Sequence, residues 1–311
     1  MRPATNPPKR GSRGPAPLLL PLLLSLLLGG CATTGQPPRR IRLPAALREA
    51  SGLVIDGQRM HWHNDSGDGP YLYTTDLRGR LLATDTLAAR AVDYEDLTRD
   101  PRGALYVGDF GNNRGRNRHA TIYRYHPATD RTDSIRYTYP GQDGGGPTGR
   151  GNHNCEAMFW YRDSLHLLTK DRLGARSRHW TYHYRLPARP GTYVAELVDS
   201  LRLPGRVITA AAVDTLRRQV VMTAYNFRML LGVFPSGAAS LVTLSDYPAG
   251  HFLRGRVHRR NLAWGIPTQF EAIDVYDERY LYVASEATLI RPRAVAVRKR
   301  RQRAQTRAPR R

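Results

Sequence analysis

The chain has 311 residues, of which 48 are lysine or arginine and 26 aspartate or glutamate, giving a formal charge of +22. It is long enough for a single large domain, and its two cysteines exclude a disulfide-stapled fold. The charge invites a nucleic-acid partner. Lysine, however, occurs only at Lys9, Lys170 and Lys299, and the arginines are scattered rather than interleaved with aromatics on one element, which argues against such a platform.

The first 30 residues read as a targeting segment. Arg2, Lys9, Arg10 and Arg13 make a basic end, followed by an apolar run from Leu18 to Leu28 that is too short for an ordinary membrane span. The run ends in Leu28-Gly29-Gly30-Cys31, which resembles the lipobox of bacterial lipoproteins. That resemblance implies cleavage before Cys31, acylation of its thiol with palmitate among the acyl groups, and, because Ala32 follows, transfer to the outer membrane. Residues 31–40, with Gly35, Pro37 and Pro38, read as a flexible tether. With Cys31 lipidated, Cys155 has no partner and is expected to pack as a small hydrophobe.

From about residue 41 to 298, short runs rich in Val, Ile, Tyr and Trp recur between Gly, Pro, Asp and Asn, and no convincing amphipathic helix interrupts them. Within them a motif repeats at 40 to 60 residues: Ser51-Gly52-Leu53, Glu95-Asp96-Leu97, Glu156-Ala157-Met158, Ala211-Ala212-Val213 and Glu271-Ala272-Ile273. Each start is followed 14 residues later by the end of a second strand-like run, at Asp65, Asp109, Lys170, Tyr225 and Ser285, with Glu286 next. Such self-similarity predicts an all-β fold, a single β-propeller. Strands at 52–85, 93–139, 156–201 and 208–244 would make four blades. Those at 270–276, 279–284 and 294–298 would make a fifth, with residues 41–43 supplying its missing strand and closing the ring. Irregular strands within 246–268 would raise the count to six. From Arg291 to Arg311 there are ten basic residues and no acidic one. Residues 299–311 are therefore expected to be a solvated, disordered tail, suited to anionic lipid or polysaccharide.

In a propeller the first strand of each blade lines the central channel and the second returns beside it. One strand, a turn and a strand back would bring Glu95 to Asp109, Glu156 to Lys170, Glu271 to Glu286 and Ser51 to Asp65 at one opening. Asp96, Asn113 and Asn154 stand on the adjoining segments. Converging carboxylates repel one another unless Lys170, raised pKa values or a hard cation such as calcium relieves them. Glu95, Asp109, Glu156 and Glu271 are the candidate ligands. Each glutamate alone could instead bolt its blade to the next through backbone N–H groups. Ser51 and Ala211 break the pattern, though, and a purely structural bolt should recur in every blade. Asn64-Asp65-Ser66-Gly67-Asp68-Gly69 partly matches a calcium loop, but Thr75 stands where an EF-hand needs glutamate, so it reads as a tight turn. There is no GxSxG elbow, Walker A loop, HExxH helix or CxxC pair.

The segments Trp62–Gly67, Asp93–Leu97, Gly108–Asn113 and Asn154–Met158 together resemble a group of secreted β-propeller proteins and, more distantly, phytase-like and NHL-type propellers. In phytase-like enzymes, acidic residues at the channel mouth hold calcium that binds phosphate. The resemblance passes that role to Glu95, Asp109, Glu156 and Glu271, while Lys170 alone represents the expected phosphate-binding cations. The expected function is a lipid-anchored envelope propeller that binds a ligand at its acidic mouth. A metal-dependent hydrolase of a phosphoester, lactone or glycan, and a protein-binding scaffold, are the alternatives.

Overall fold

The computed structural model describes residues 36–112, 120–141, 153–171, 179–230, 234–264, 269–286 and 292–299. Residues 1–35, Cys31 among them, Asn113 and the residues from 300 onward lie outside the described residues. The structure is almost entirely β, with five blades arranged as a β-propeller.

Strand β1 (Arg40–Arg42) precedes the first blade, which is built from β2 (Ala50–Asp56), β3 (Arg59–Asn64), β4 (Tyr71–Asp76) and β5 (Leu81–Thr86). Blade two contains β6 (Tyr94–Arg99), β7 (Leu105–Asp109), β8 (Ala120–His126) and β9 (Arg131–Thr138). Blade three uses β10 (Cys155–Tyr161), β11 (Ser164–Thr169) and β12 (Trp180–Pro187). The chain then makes β13 (Gly191–Val194), which pairs in parallel with β9 of blade two, before β14 (Glu196–Arg202) completes blade three. This strap over the blade-two edge has no counterpart in the sequence expectation. Blade four is β15 (Val207–Asp214), β16 (Gln219–Leu230), β17 (Phe234–Ser245) and β18 (Arg256–Trp264); its outermost strand lies inside the 246–268 stretch that had left six blades open. Of residues 229–234, expected as a separate strand, Met229 and Leu230 end β16 and Phe234 opens β17, with Leu230 paired to Phe234.

Blade five is β19 (Phe270–Val275), β20 (Tyr280–Ser285), β21 (Arg293–Arg298) and β1, in the sheet order β1-β21-β20-β19. The N-terminal strand thus closes the ring as expected, Arg40 opposite Val295 and Arg42 opposite Arg293. The innermost strands touch in cyclic order: β2 with β6, β6 with β10, β10 with β15, β15 with β19, and β19 with β2.

Alternation along the strands sends apolar side chains into the seams between blades, and five buried clusters fill the five seams. Trp62 and Tyr282 meet between blades one and five, Phe110 and Met158 between two and three, Phe159 and Phe252 between three and four. Trp62 is fully buried and donates its indole N–H to Thr75 Oγ1 at 3.0 Å, so its polar edge is satisfied too. Truncating it to alanine would cost about 3–5 kcal/mol. Cys155 is buried, and burial raises its thiol pKa far above the ordinary value, as befits a packing residue rather than a nucleophile.

At the C-terminal end, Lys299 is 8% exposed and its ammonium meets the buried Asp214 carboxylate at 2.5 Å. Its N–H donates to Arg279 O at 2.7 Å. The residue expected to begin the solvated tail therefore belongs to the domain, because its charge neutralises a buried aspartate of blade four.

Candidate functional site at the channel mouth

Every innermost strand carries a β-bulge near its start, between Ala50 and Gly52, Tyr94 and Asp96, Cys155 and Ala157, Ile208 and Ala210, and Phe270 and Ala272. The bulged residues are Ser51, Glu95, Glu156, Thr209 and Glu271. A bulge re-aims one side chain out of the strand's alternation, and here it does so once per blade at the same end of the channel. The blade-four equivalent is Thr209, two residues before the expected Ala211.

Small hydroxyls at this position tie blades together. Ser51 Oγ donates to Glu95 O at 2.8 Å, and Thr209 Oγ1 donates to Phe270 O at 2.7 Å. The three glutamates do something else, and they differ among themselves. Glu156 accepts Lys170 Nζ at 2.8 Å on Oε2 and Asn154 Nδ2 at 2.6 Å on Oε1, so both of its oxygens are engaged. Glu271 receives Gln269 Nε2 at 3.2 Å and shares a hydrogen bond with Glu286. Glu95, 3% exposed, has a buried Oε1 with no hydrogen-bond partner.

The second strands deliver the facing residues. The positions just beyond the partners of Ala50, Tyr94, Cys155, Ile208 and Phe270 are Asp65, Phe110, Lys170, Tyr225 and Glu286. Four of the five are polar and half-buried or buried. Blade two pairs Tyr94 with Asp109 and so puts Phe110, not Asp109, at the equivalent place. A one-residue change of register turns a side chain to the other face. That corrects the expectation for Asp109. Its carboxylate accepts the N–H groups of Val92 and Asp93 at 3.1 and 2.7 Å and lines a flank cavity of about 800 Å³ with Arg90, Tyr123 and Arg136. It is not among the carboxylates grouped around Glu95 among the described residues.

Asp96 is corrected as well. It is fully buried and accepts N–H bonds from Leu97 at 2.8 Å, Met158 at 2.7 Å and Ala211 at 3.2 Å, which bolts blades two, three and four together. Asn154 sits at the mouth as a bridge, accepting Asn112 N–H at 2.6 Å while donating to Glu156. Asp65, expected in a turn, does lie in one: Asn64 Nδ2 donates to Asp68 Oδ2 at 2.6 Å, and Gly67 takes a left-handed φ of 86°.

Two carboxylate groupings emerge. One oxygen each from Asp65, Asp93 and Glu95 lie within 4.8 Å of one another, and the same holds for Asp65, Glu271 and Glu286. Asp65 belongs to both. Asp93 was missed in the sequence, although its place two residues before Glu95, on the same side of an extended chain, is a signal that could have found it. Gly111 makes room for the first grouping, because a Cβ there would run into Glu95 Oε1 and Asp93 Oδ2.

Electrostatics follow from this crowding. Burial, with Glu271, Asp93 and Glu156 nearby, pushes Asp65 up to about 7 despite the Ser66 N–H that favours its ionised form. Burial, then Glu271 and Asp65, raises Glu286 to about 10. Burial and the Glu156 and Asp65 charges raise Glu95 well above the carboxylate range. Burial alone would lower Lys170, but Glu156, Tyr225, Glu271 and Glu95 together hold its ammonium charged. Its Nζ also stands 5.6 Å from the Tyr225 ring centre, within cation–π range. The mouth is thus divided, carboxyls from blades one, two and five on one side and a Glu156–Lys170–Tyr225 arm on the other.

No protein-family model matches the sequence, and comparison with curated proteins gives no match. Among solved structures, the chain is similar to a quinoprotein alcohol dehydrogenase-like protein from Bacteroides thetaiotaomicron, at 13% identity and a TM-score of 0.36, covering 68% of this chain and 45% of that one. It spans less than half of that protein's length. It is similar to a gluconolactonase from Xanthomonas campestris, at 12% identity and a TM-score of 0.42, covering 80% of this chain and 72% of that one. A third likeness is to a family 43 endo-arabinanase from Bacillus licheniformis, at 11% identity and a TM-score of 0.48, covering 83% and 95%. At these identities the likeness concerns the fold alone.

Proposed function

We propose that this is an envelope ligand-binding propeller, held to the membrane through Cys31, whose mouth takes a hard divalent cation and, through it, an oxygen-rich ligand. The observation that carries this reading is the Glu95 carboxylate, buried with a partnerless Oε1 beside Asp65 and Asp93. A buried acceptor with no donor costs about 1–3 kcal/mol, more when charged, and so persists where something else uses it. The donor set fits a hard cation. All ligands are carboxylate oxygens, without imidazole or thiolate, which suits calcium or magnesium rather than zinc or copper. Oxygens up to 4.8 Å apart are the separation that two ligands on opposite sides of a calcium ion would have.

Asp65, Asp93 and Glu95 would hold the ion, with Glu271 and Glu286 completing the negative surround. The bound ion would supply charge compensation and open coordination positions for hydroxyl, carboxylate or phosphoryl oxygens. Lys170 and Tyr225 then offer an ammonium and a phenol from across the opening. Thermal melts test the reading. Calcium at about 100 times its dissociation constant should stabilise the fold by about 2.7 kcal/mol, reversibly with chelator. A parent protein whose melting is indifferent to calcium and magnesium would refute it.

A further inference from the structure

We propose that the face opposite the acidic mouth docks flat onto a bilayer surface rich in anionic headgroups, so that the mouth points away from the membrane. Each blade joins its first strand to its second by a short turn on that face. Each of these turns carries or adjoins an exposed arginine: Arg59, which opens β3, and Arg102, Arg162, Arg218 and Arg279. Because the innermost strands close a ring, these five turns encircle the second opening of the channel.

Several acids nearby are already engaged. Asp56 holds Arg99 at 2.5 Å, Asp214 is buried on Lys299, and one Asp277 oxygen accepts the N–H groups of Arg279 and Tyr280, each at 2.6 Å. Asp163 and Glu278 are exposed on the same turns and offset part of the charge. Leu216, 73% exposed at the tip of the blade-four turn, presents an apolar side chain next to two arginines, a pairing that suits the headgroup boundary.

The first and last strands reach the same face. β21 ends on this face, where Lys299 N–H donates to Arg279 O, and six arginines with no acid follow in the sequence. β1 runs antiparallel to β21 and begins beside its end, Arg39 O accepting Ala296 N–H at 3.0 Å. The start of β1 and the end of β21 therefore lie side by side at this face, whether or not Cys31 is acylated. Five short turns that each present a single arginine do not make the continuous aromatic platform that single-stranded nucleic acid needs, whereas a planar array of headgroups meets all five turns at once. Near a charged surface each arginine is worth about five-fold in binding, within a Debye length.

Vesicle flotation of the full chain carrying Cys31→Ser tests this, with phosphatidylcholine vesicles with and without phosphatidylglycerol. Binding should need the anionic lipid and fall with salt. The Arg59→Ala, Arg102→Ala, Arg218→Ala triple variant should weaken it about 100-fold. An equal charge change near the mouth, Arg48→Ala, Arg90→Ala, Arg202→Ala, should alter it by less than about three-fold. Deleting residues 300–311 should leave a clear preference for anionic vesicles. Equal weakening by the two triples would reveal attraction by net charge alone and overturn the proposal. So would complete loss of binding on tail deletion, or a short DNA duplex that displaces the vesicles at equal salt.

Discussion

Lys170 Nζ lies 2.8 Å from Glu156 Oε2, and this contact separates Glu156 from the two glutamates at equivalent bulges. Both partners are largely buried, with side chains 11% and 3% exposed. Removing one member of such a pair leaves the other buried and uncompensated, typically a cost of about 3–5 kcal/mol.

Glu156→Gln should therefore lower stability by a few kcal/mol, equally in calcium and in chelator. Glu95→Gln should leave the chelator-treated protein as stable as the parent, or more so, because it relieves repulsion among carboxylates. Denaturant midpoints of the two variants in both conditions check this. Identical behaviour would mean that the bulge glutamates share one role.

The pH dependence at Asp65 has a definite sign. Its folded pKa of about 7 lies above the ordinary carboxylate value, so the folded state holds its proton more tightly than the unfolded chain. That contribution is fully present below about pH 4 and is lost as pH rises through 7. Asp65→Asn should accordingly be more stable than the parent at pH 8 in chelator, by roughly 1–2 kcal/mol after allowing for solvent screening, and should match it near pH 4. With calcium at pH 8 the order should reverse. Paired melts at the two pH values decide it.

The propeller and its closure could be read from the sequence because every blade repeats one hairpin. Strand alternation and turn residues recur often enough to show the period even where single strands are ambiguous. The site was less legible, since spacing alone does not reveal bulge register. A fixed 14-residue spacing treats Asp109 as the counterpart of Asp65. The blade-two pairing, one residue longer, sends Asp109 to the flank and puts Phe110, packed in the seam with blade three, at the position that Asp65 holds in blade one. For the same reason Ala211 displaced Thr209, whose hydroxyl resembles Ser51 in linking neighbouring blades. Asp96 looked like a channel ligand because its three backbone donors come from blades two, three and four, contacts that exist only once the ring has closed.

The C-terminal boundary makes a sharp test of the buried Lys299–Asp214 pair. Lys299→Ala should destabilise by about 3 kcal/mol or more, since it leaves Asp214 1% exposed without its cation. Deleting residues 300–311 should cost under about 0.5 kcal/mol. Equal effects would place the boundary elsewhere.

Attachment through Cys31 predicts that Cys31→Ser blocks palmitate labelling and leaves precursor or soluble protein. Unchanged labelling and membrane fractionation would disprove the anchor without touching the mouth.

The most direct test of the mouth is calorimetric titration of calcium into chelator-treated parent and Glu95→Gln proteins. The parent should bind saturably. Glu95→Gln should bind at least about ten-fold more weakly, a loss of about 1.4 kcal/mol, with its melting in chelator no lower than the parent's. Equal calcium affinity in the two proteins, or none in the parent, would contradict a cation held by the orphaned carboxylate.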